Sequence, residues 1–398
     1  MTQPGPLSDL RVVEMGQLLA GPFAGQLFAD FGAEVIKLEP PNQGDPLRVW
    51  GKERTNGKAL WWSVLGRNKK SVTCNLRLEQ GQQIARDIIA TSDVLIENFR
   101  SGTIERWGMS PEQLWEINPR LVILRVTGFG QSGPMQFEAG YGAVGEAMGG
   151  IRHVTGDPDR MPSRAGISIG DTLAATFGTV GALMALHARE RTGRGQVVDS
   201  ALYEAVLAVM ESLVIDYDQA GYIRERTGSI LPKIAPSNVY PTKDGQMLIA
   251  GNGDSIFRRM SAGMGQPELA DDPRFIDHTA RGENQAELDE IISQWSQTLT
   301  NDEVDAAMTE AKVPHGKIFR APEMLEDAQF KARESIIKVM HPLYGEVAMQ
   351  NTFPRLSETP GKVQWVGPEL GQHTEEILKD VLGKSDDDIA ALRAADVV

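Results

Sequence analysis

Cysteine, aromatic rings and positive charge are all scarce in this chain of 398 residues. It carries a single cysteine, Cys74, so an intramolecular disulfide is impossible and a thiolate metal cluster is disfavoured. The setting "KKSVTCNLR" reads as a strand, which makes Cys74 a small buried residue by default. The histidines (153, 187, 278, 315, 341 and 373) show no HExxH or other ligand spacing, so no metal site is expected. Lys plus Arg is 40 against 54 Asp plus Glu, a net charge of −14. That excludes a global basic footprint for nucleic acid; an anionic ligand needs a local basic pocket instead. No run of about 18 apolar residues occurs, so no membrane span is expected. "MTQPGPLSDL" lacks a basic region followed by an apolar stretch, so the expectation is a cytoplasmic protein without a secretory signal. The composition itself, 41% hydrophobic and 24% charged, is that of a chain able to bury a sizeable core, and the length predicts two or three domains.

The first 130 residues alternate between strand-like and helix-like segments. "LRVVEM" (10–15) precedes "GPFAGQLFADFG" (21–32) and "AEVIKLE" (33–39). "SVTCNL" (71–76), a helix over 78–91, "DVLIEN" (93–98) and "RLVILRVTGF" (120–129) follow. Short apolar strands separated by helices predict an α/β fold with a mostly parallel sheet. In the 78–91 helix, Ile84, Ile88 and Ile89 share one face. Leu173, Phe177, Val180, Leu183, Met184 and His187 recur at helical steps and predict a long helix over 170–190. "RTGRGQVVDS" reads as a turn and a strand, and 201–220 as one helix. Around 221–236 the chain becomes polar and turn-rich, a crossover into a smaller α/β unit that reaches about 325. The tail has a strand-like "GEVAMQN" and two helices, 373–382 and 386–395.

Two stretches raise chemical questions. "GFGQSG" (128–133) matches GxGxxG after a predicted strand, but Pro134 follows where a helix must open and no acid arrives at the ribose-binding distance. It reads as a ligand-side loop rather than a dinucleotide fingerprint. "AGISIGDTLAATFGTV" (165–180) places one acid, Asp171, between a glycine-rich lead and an apolar helix. Asp is a good N-cap residue. On sequence grammar a cap is the first reading; a carboxylate there is also kept ionised by the helix dipole, and Gly166 and Gly170 admit a close approach, so a covalent nucleophile is the other. Tyr141 lies between glycines; a buried Tyr needs a partner for its hydroxyl, so the residue is either structural or part of a pocket wall. Arg48, Arg100, Arg106 and Arg164 are surface or ion-pair residues by default, yet Arg binds carboxylate or phosphate through two hydrogen bonds.

Read in order, "AGPFAGQLFADFGAEVIKLEPPNQGDPLR", "NKKSVTCNLR", "SDVLIENFRSGTIERWG", "NPRLVILRVTGFGQSGP", "GISIGD", "TGRGQVVD" and "GPELGQHTEEIL" resemble the class III CoA-transferases, the formyl-CoA transferase or CaiB/BaiF family, across essentially the whole chain. The resemblance implies an interlocked homodimer. It implies a Rossmann-like large domain built from 1–220 and 331–398 and a small domain with linkers over 221–330. It puts the nucleophile on Asp171, which would carry an aspartyl-CoA thioester. No permanently bound cofactor or metal is implied; a coenzyme A thioester and a small carboxylic acid are the substrates. CoA contacts would fall on Leu19 and Ala20, with a backbone N–H there for an oxyanion. Cys74, Asn75, Leu76, Arg77, Asn98, Phe99, Arg100 and Arg106 would follow the CoA path, and Ala139, Gly140, Tyr141 and Gly142 would lie beside the thioester. Leu19 is apolar where some members are polar. Pro40 replaces a basic residue, Gly142 an acid, and "TGSILP" (227–232) a longer glycine loop, which disfavours formyl-CoA and oxalate. "GSILPKIAPSNVYPTKDGQ" is similar to the succinyl-CoA:glutarate branch, implying succinyl-CoA as donor and a small dicarboxylate as acceptor, with Arg48 and Arg164 as candidates to hold its distal carboxylate. The alternatives are a 2-methylacyl-CoA racemase of the same fold, whose His-Asp pair is here Tyr141-Gly142, and a non-catalytic CoA-binding protein.

Overall fold

The computed structural model describes residues 4–52, 54–55 and 58–398. A six-stranded parallel sheet carries the first part of the chain: β1 (Arg11–Glu14), β2 (Glu34–Glu39), β3 (Lys69–Thr73), β4 (Val94–Glu97), β5 (Val122–Thr127) and β6 (Val197–Ala201). Their spatial order is β3-β2-β1-β4-β5-β6, the order of doubly wound nucleotide-binding sheets. Because both faces are covered, alternate residues serve two cores. Val12, Val35, Val94 and Val122 face α1 (Ala20–Asp30), and Val13, Ile36, Leu95 and Ile123 face the core that holds Ile84 and Ile88 of α2 (Glu79–Ala90).

After β5 come α3 (Gly142–Met148) and α4 (Ile169–Thr192), which packs on α1 and on the sheet. The apolar stripe that predicts α4 is its outer face: Phe177, Val180, Leu183 and Met184 are 43%, 42%, 38% and 66% exposed. The buried face is instead Ala174, Ala175, Gly178, Thr179, Ala182 and Ala185. Close packing explains the small residues, since a Cβ on Gly178 would lie 2.8 Å from Leu124 Cδ1. Among the described residues α4 is the one helix long and apolar enough to cross a membrane, with mean hydropathy 1.4 over its best window, of which 44% is buried within the protein.

The single helix expected over 201–220 is two, α5 (Leu202–Leu207) and a second at Leu213–Ala220, with Glu211 between them at φ 52°. The chain divides into two compact units there. One comprises Met1–Ile151, Ala165–Leu213 and Lys331–Val398; the other comprises Arg152–Arg164 and Val214–Phe330. The 152–164 segment joins the second unit through bonds such as Gly228 N–H to the Gly156 carbonyl (3.0 Å) and Arg226 Nη1 to the His153 carbonyl (2.9 Å). That unit has an antiparallel sheet of β7 (Ser237–Pro241), β8 (Gln246–Ala250) and β9 (His315–Lys317), with Tyr240, Met247, Ile249, Phe257, Leu288, Ile292 and Met308 in its core. The chain then returns to the first unit. His373 N–H donates to the Ser71 carbonyl (2.9 Å) and Asn75 N–H to the Val397 carbonyl (2.8 Å), covering the β3 side of the sheet. Ile377, Leu378, Ile389 and Val397 complete the core that holds Val13 and Ile36.

Candidate active site

In a doubly wound sheet the ligand crevice lies outside the carboxyl ends of the strands, where the strand order reverses. Here the reversal falls between β1 and β4, whose following loops are 15–19 and 98–102. Side chains fix both. Gln17 N–H donates to Asn98 Oδ1 (2.8 Å) and Asn98 Nδ2 donates back to the Gln17 carbonyl (2.9 Å). Gly16 and Gly21 touch backbone to backbone: a Cβ on Gly16 would sit 2.9 Å from Gly21 Cα. Glu97, at the end of β4, accepts Phe99 N–H (2.8 Å) and is paired with Arg125 (2.7 Å), which in turn reaches Glu105 (2.8 Å). Burial pushes the Glu97 carboxyl up to about 7, against the opposing pull of Arg125.

The "GFGQSG" segment is a loop, as expected. Gly130 N–H donates to Thr127 Oγ1 (3.0 Å) and Gln131 N–H to Asp199 Oδ2 (2.8 Å), and no helix opens until Gly142. Gly128 lies so close to Gly140 that a Cβ on either would be 2.7 Å from the other's Cα. This stacks the 139–141 segment beside the end of β5.

Asp171 is not the N-cap that its sequence context allows. Helix α4 begins at Ile169 with Ser168 in the cap position, so Asp171 is the third helical residue. From the first turn its carboxylate rests on the Cα of Gly142: a Cβ built there would be 2.1 Å from Oδ2 and 2.8 Å from Cγ. The glycine at 142 therefore makes the space that this carboxylate occupies.

Asp171 lines a cavity of about 220 Å³ with Leu19, Ala20, Asn98, Phe99, Arg100, Ala139, Gly140 and Tyr141. Gln17, Leu18, Thr127, Gln136 and Glu138, which the sequence did not single out, share it. Gly142 lies under Asp171 and not in the wall. A second cavity of about 480 Å³ holds Cys74, Asn75, Leu76 and Arg77, together with Asn42, Gln43 and Trp107; Gln17 and Phe99 line both cavities. Pro40 and Pro41 form part of its wall, and Phe99 stacks edge-on against Trp107 with ring centres 5.1 Å apart. The Cys74 thiol is pushed up to about 12 by burial and donates to the Gly81 carbonyl (3.2 Å), a structural role. Arg106 lines neither cavity; its guanidinium lies on Thr103 (3.1 Å), which lines the second.

Neither arginine expected to grip a distal carboxylate is among the residues lining the Asp171 cavity. Arg48 is committed to Glu39 through two bonds (2.7 and 2.8 Å), stacks over Trp62 at 3.9 Å and is outside the Asp171 cavity. Arg164 is exposed and belongs to the second unit. The cation among the described residues lining the Asp171 cavity is Arg100, whose Nη2 donates to the Phe137 carbonyl (2.7 Å).

A carboxylate on a helix first turn, facing strand-end loops beside a larger cleft, is a geometry for acyl chemistry on a bulky activated acid. Residues 7–374 match the family model for CoA-transferase family III. The chain belongs to CoA-transferase family III. The transferase is 57% identical over 396 residues to the succinyl-CoA–D-citramalate CoA-transferase of Chloroflexus aurantiacus, covering 99% of this chain and 98% of that relative. It is 34% identical over 382 residues to the succinate–glutarate CoA-transferase of Agrobacterium fabrum, covering 94% and 96%. The crystal structure of a CaiB/BaiF family protein from Brucella suis has the same fold, with TM-score 0.86 and 35% identity over 95% of this chain and 100% of that one. The transferase is thus an enzyme that moves CoA between carboxylic acids.

Proposed function

We propose that this enzyme transfers CoA from succinyl-CoA to a small hydroxy-dicarboxylate of four or five carbons, with Asp171 as the covalent nucleophile. The observation that carries the reading is the Asp171 carboxylate seated on Gly142 in a cavity that shares the wall residues Gln17 and Phe99 with the larger cleft. In this reading the nucleotide end of CoA lies against Cys74, Asn75, Leu76 and Arg77, and the pantetheine runs past Phe99 to Asp171. Leu19, Ala20, Asn98, Arg100 and the 139–141 segment surround the thioester. The identity to the D-citramalate enzyme supports the choice of acceptor, and Arg100 supplies a cation for an anionic substrate.

The chemistry balances without metal or redox partner. An Asp171 oxygen attacks the thioester carbonyl; the C–S bond breaks and CoA leaves as thiolate, giving a mixed anhydride. The thiolate attacks the Asp171 carbonyl of that anhydride, the donor acid departs as carboxylate and aspartyl-CoA remains. The acceptor carboxylate displaces CoA from Asp171, and the thiolate then attacks the acceptor's carbonyl, freeing Asp171. Each tetrahedral oxyanion needs donors. Because helix first turns carry amides with no intrahelical acceptor, the Leu19 and Ala20 N–H groups at the start of α1 fit that task.

Mass-spectrometric assay of a matrix of acyl-CoA donors against carboxylic acids tests the reading. Succinyl-CoA with C4–C5 hydroxy-diacids should turn over fastest. A consistent preference for monocarboxylates would overturn the substrate assignment.

The assembly in this reading is a homodimer of interlocked rings. The outward apolar row Phe177, Val180, Leu183 and Met184 supports burial against a second copy. Linked rings separate only by partial unfolding, so sedimentation across a dilution series should show a dimer throughout; a folded monomer at low concentration would contradict it.

A further inference from the structure

Leu18 has φ 64°, a left-handed conformation that a leucine adopts only when its surroundings impose it. It sits in the cavity wall, one residue before the cap of α1. Beneath the turn lies a cluster of buried charges that bonds to its backbone. Leu18 N–H donates to Asp45 Oδ1 (3.0 Å), which also accepts Leu47 N–H (2.8 Å). Asp45 Oδ2 lies 2.8 Å from Lys37 Nζ. The same ammonium donates to Glu14 Oε1 (2.8 Å) and to the Gly16 carbonyl (2.6 Å), at the start of this turn. Glu14 Oε2 pairs with Lys69 (2.7 Å), whose Nζ donates to the Pro22 carbonyl (2.6 Å) in the first turn of α1. The side chains of Lys37, Lys69, Glu14 and Asp45 are at most 1% exposed. Burial pulls Lys37 toward neutrality, but Asp45, Glu14 and Glu39 outweigh it and the ammonium stays charged; for Lys69 burial wins and its pKa is lowered. Lys37 thus spends its donors on two carboxylates and the turn's own carbonyl, and Asp45 spends an oxygen on the turn's strained amide.

We propose that Asp45 is a positioning residue for CoA transfer: anchored by Lys37, it holds Leu18 left-handed and so aims the Leu19 and Ala20 amides into the Asp171 cavity. The assignment rests on the Asp171 reading above. Without Asp45 the Leu18 amide loses its acceptor, and the turn relaxes to negative φ with the amides turned away. Misaimed donors weaken the transition state more than the ground state. Binding of CoA, which depends on the cleft around Cys74 to Arg77, is spared.

Steady-state kinetics with succinyl-CoA and D-citramalate test it. Asp45→Ala should lower kcat by about 10- to 100-fold and leave the KM for succinyl-CoA within about threefold. The rate of Asp171 adduct formation from succinyl-CoA alone should fall in parallel. Glycine adopts positive φ without steric cost, so adding Leu18→Gly to Asp45→Ala should restore part of kcat, which a general loss of stability would not allow. Leu18→Val, leaving every buried charge in place, should reproduce the loss, because a β-branched residue resists the left-handed region. A folded Asp45→Ala enzyme with wild-type kcat, or one whose defect lies wholly in KM, would overturn the proposal. Should Asp45→Ala fail to fold, wild-type kcat in Leu18→Val overturns it instead. Asp171→Asn, run alongside, separates the two readings: activity in that variant removes the nucleophile, whereas an inactive Asp171→Asn beside a fully active Asp45→Ala removes only the positioning role.

Discussion

Asp171→Asn should reduce CoA transfer to background and leave the fold intact. The amide occupies the same space against Gly142, so no packing changes. Its loss of charge in the first turn of α4 forfeits an interaction with the helix dipole of about 0.3–1 kcal/mol, well below what unfolds a domain. The amide oxygen cannot form the anhydride, so the covalent route closes. Wild-type enzyme given succinyl-CoA alone should gain an acyl or CoA adduct, labile to hydroxylamine and mapping to the peptide that contains Asp171; the Asn variant should gain none. Transfer at an appreciable fraction of the wild-type rate by a folded Asn enzyme would move the nucleophile elsewhere.

Gly142→Ala is the second large effect, and it separates activity from stability. Alanine is the better helix former at the start of α3, worth up to about 1 kcal/mol over glycine. The new methyl, however, lands 2.1 Å from Asp171 Oδ2. The carboxylate is the far end of a side chain, so it swings aside rather than breaking the fold. A nucleophile displaced by about 1 Å loses on the order of 100-fold in rate. The variant should melt at or above the wild-type temperature while kcat falls by roughly that factor. Unchanged kcat would mean that the carboxylate position seen here is not the one used in the reaction.

The sheet was readable from the sequence because its strands are short apolar runs bounded by turn residues. "VVEM", "EVIKLE", "DVLIEN" and "LVILRVT" lie on β1, β2, β4 and β5, and the 78–91 helix is Glu79–Ala90. The helix of α4 was readable too, but its orientation was not. Amphipathic reasoning sends the large apolar row inward, and here Gly178 and its alanines face the sheet because the approach to Leu124 leaves no room for larger side chains. The break at 208–212 is not legible in the sequence: no proline or glycine marks it, although Glu211 takes a left-handed φ of 52°.

In the site, the segments that carry Asp171, Asn98 and Tyr141 were legible as motifs, but what the side chains do was not. Asn98 is committed to both polar groups of the Gln17 backbone, and Arg48 to Glu39. The Glu14, Lys37, Asp45 and Lys69 cluster does not show in the linear sequence. In isolation Glu14, Lys37 and Lys69 read as solvent-facing strand positions, and only the β2-β1 and β2-β3 pairings bring them to one point, where Asp45 joins from the turn after β2. A usable signal was present: acids and lysines inside runs otherwise rich in valine, isoleucine and leucine have no low-energy place except against one another.

The path of the chain has a consequence for how this enzyme is made. Residues 214–330 contribute a core of their own, with Tyr240, Phe257, Leu288 and Met308 all from that span. The core beside α2 instead joins Val13 and Ile36 to Ile377, Leu378, Ile389 and Val397. A ribosome delivers the first group long before the last. During synthesis that face of the nascent sheet is therefore covered only in part, by α2 and the residues up to Leu114, while the later unit is translated. The wall of the larger cleft, where Asn75 takes the Val397 carbonyl, is finished only after residue 397 has cleared the exit tunnel. In the newborn chain the part translated first is the last to be completed.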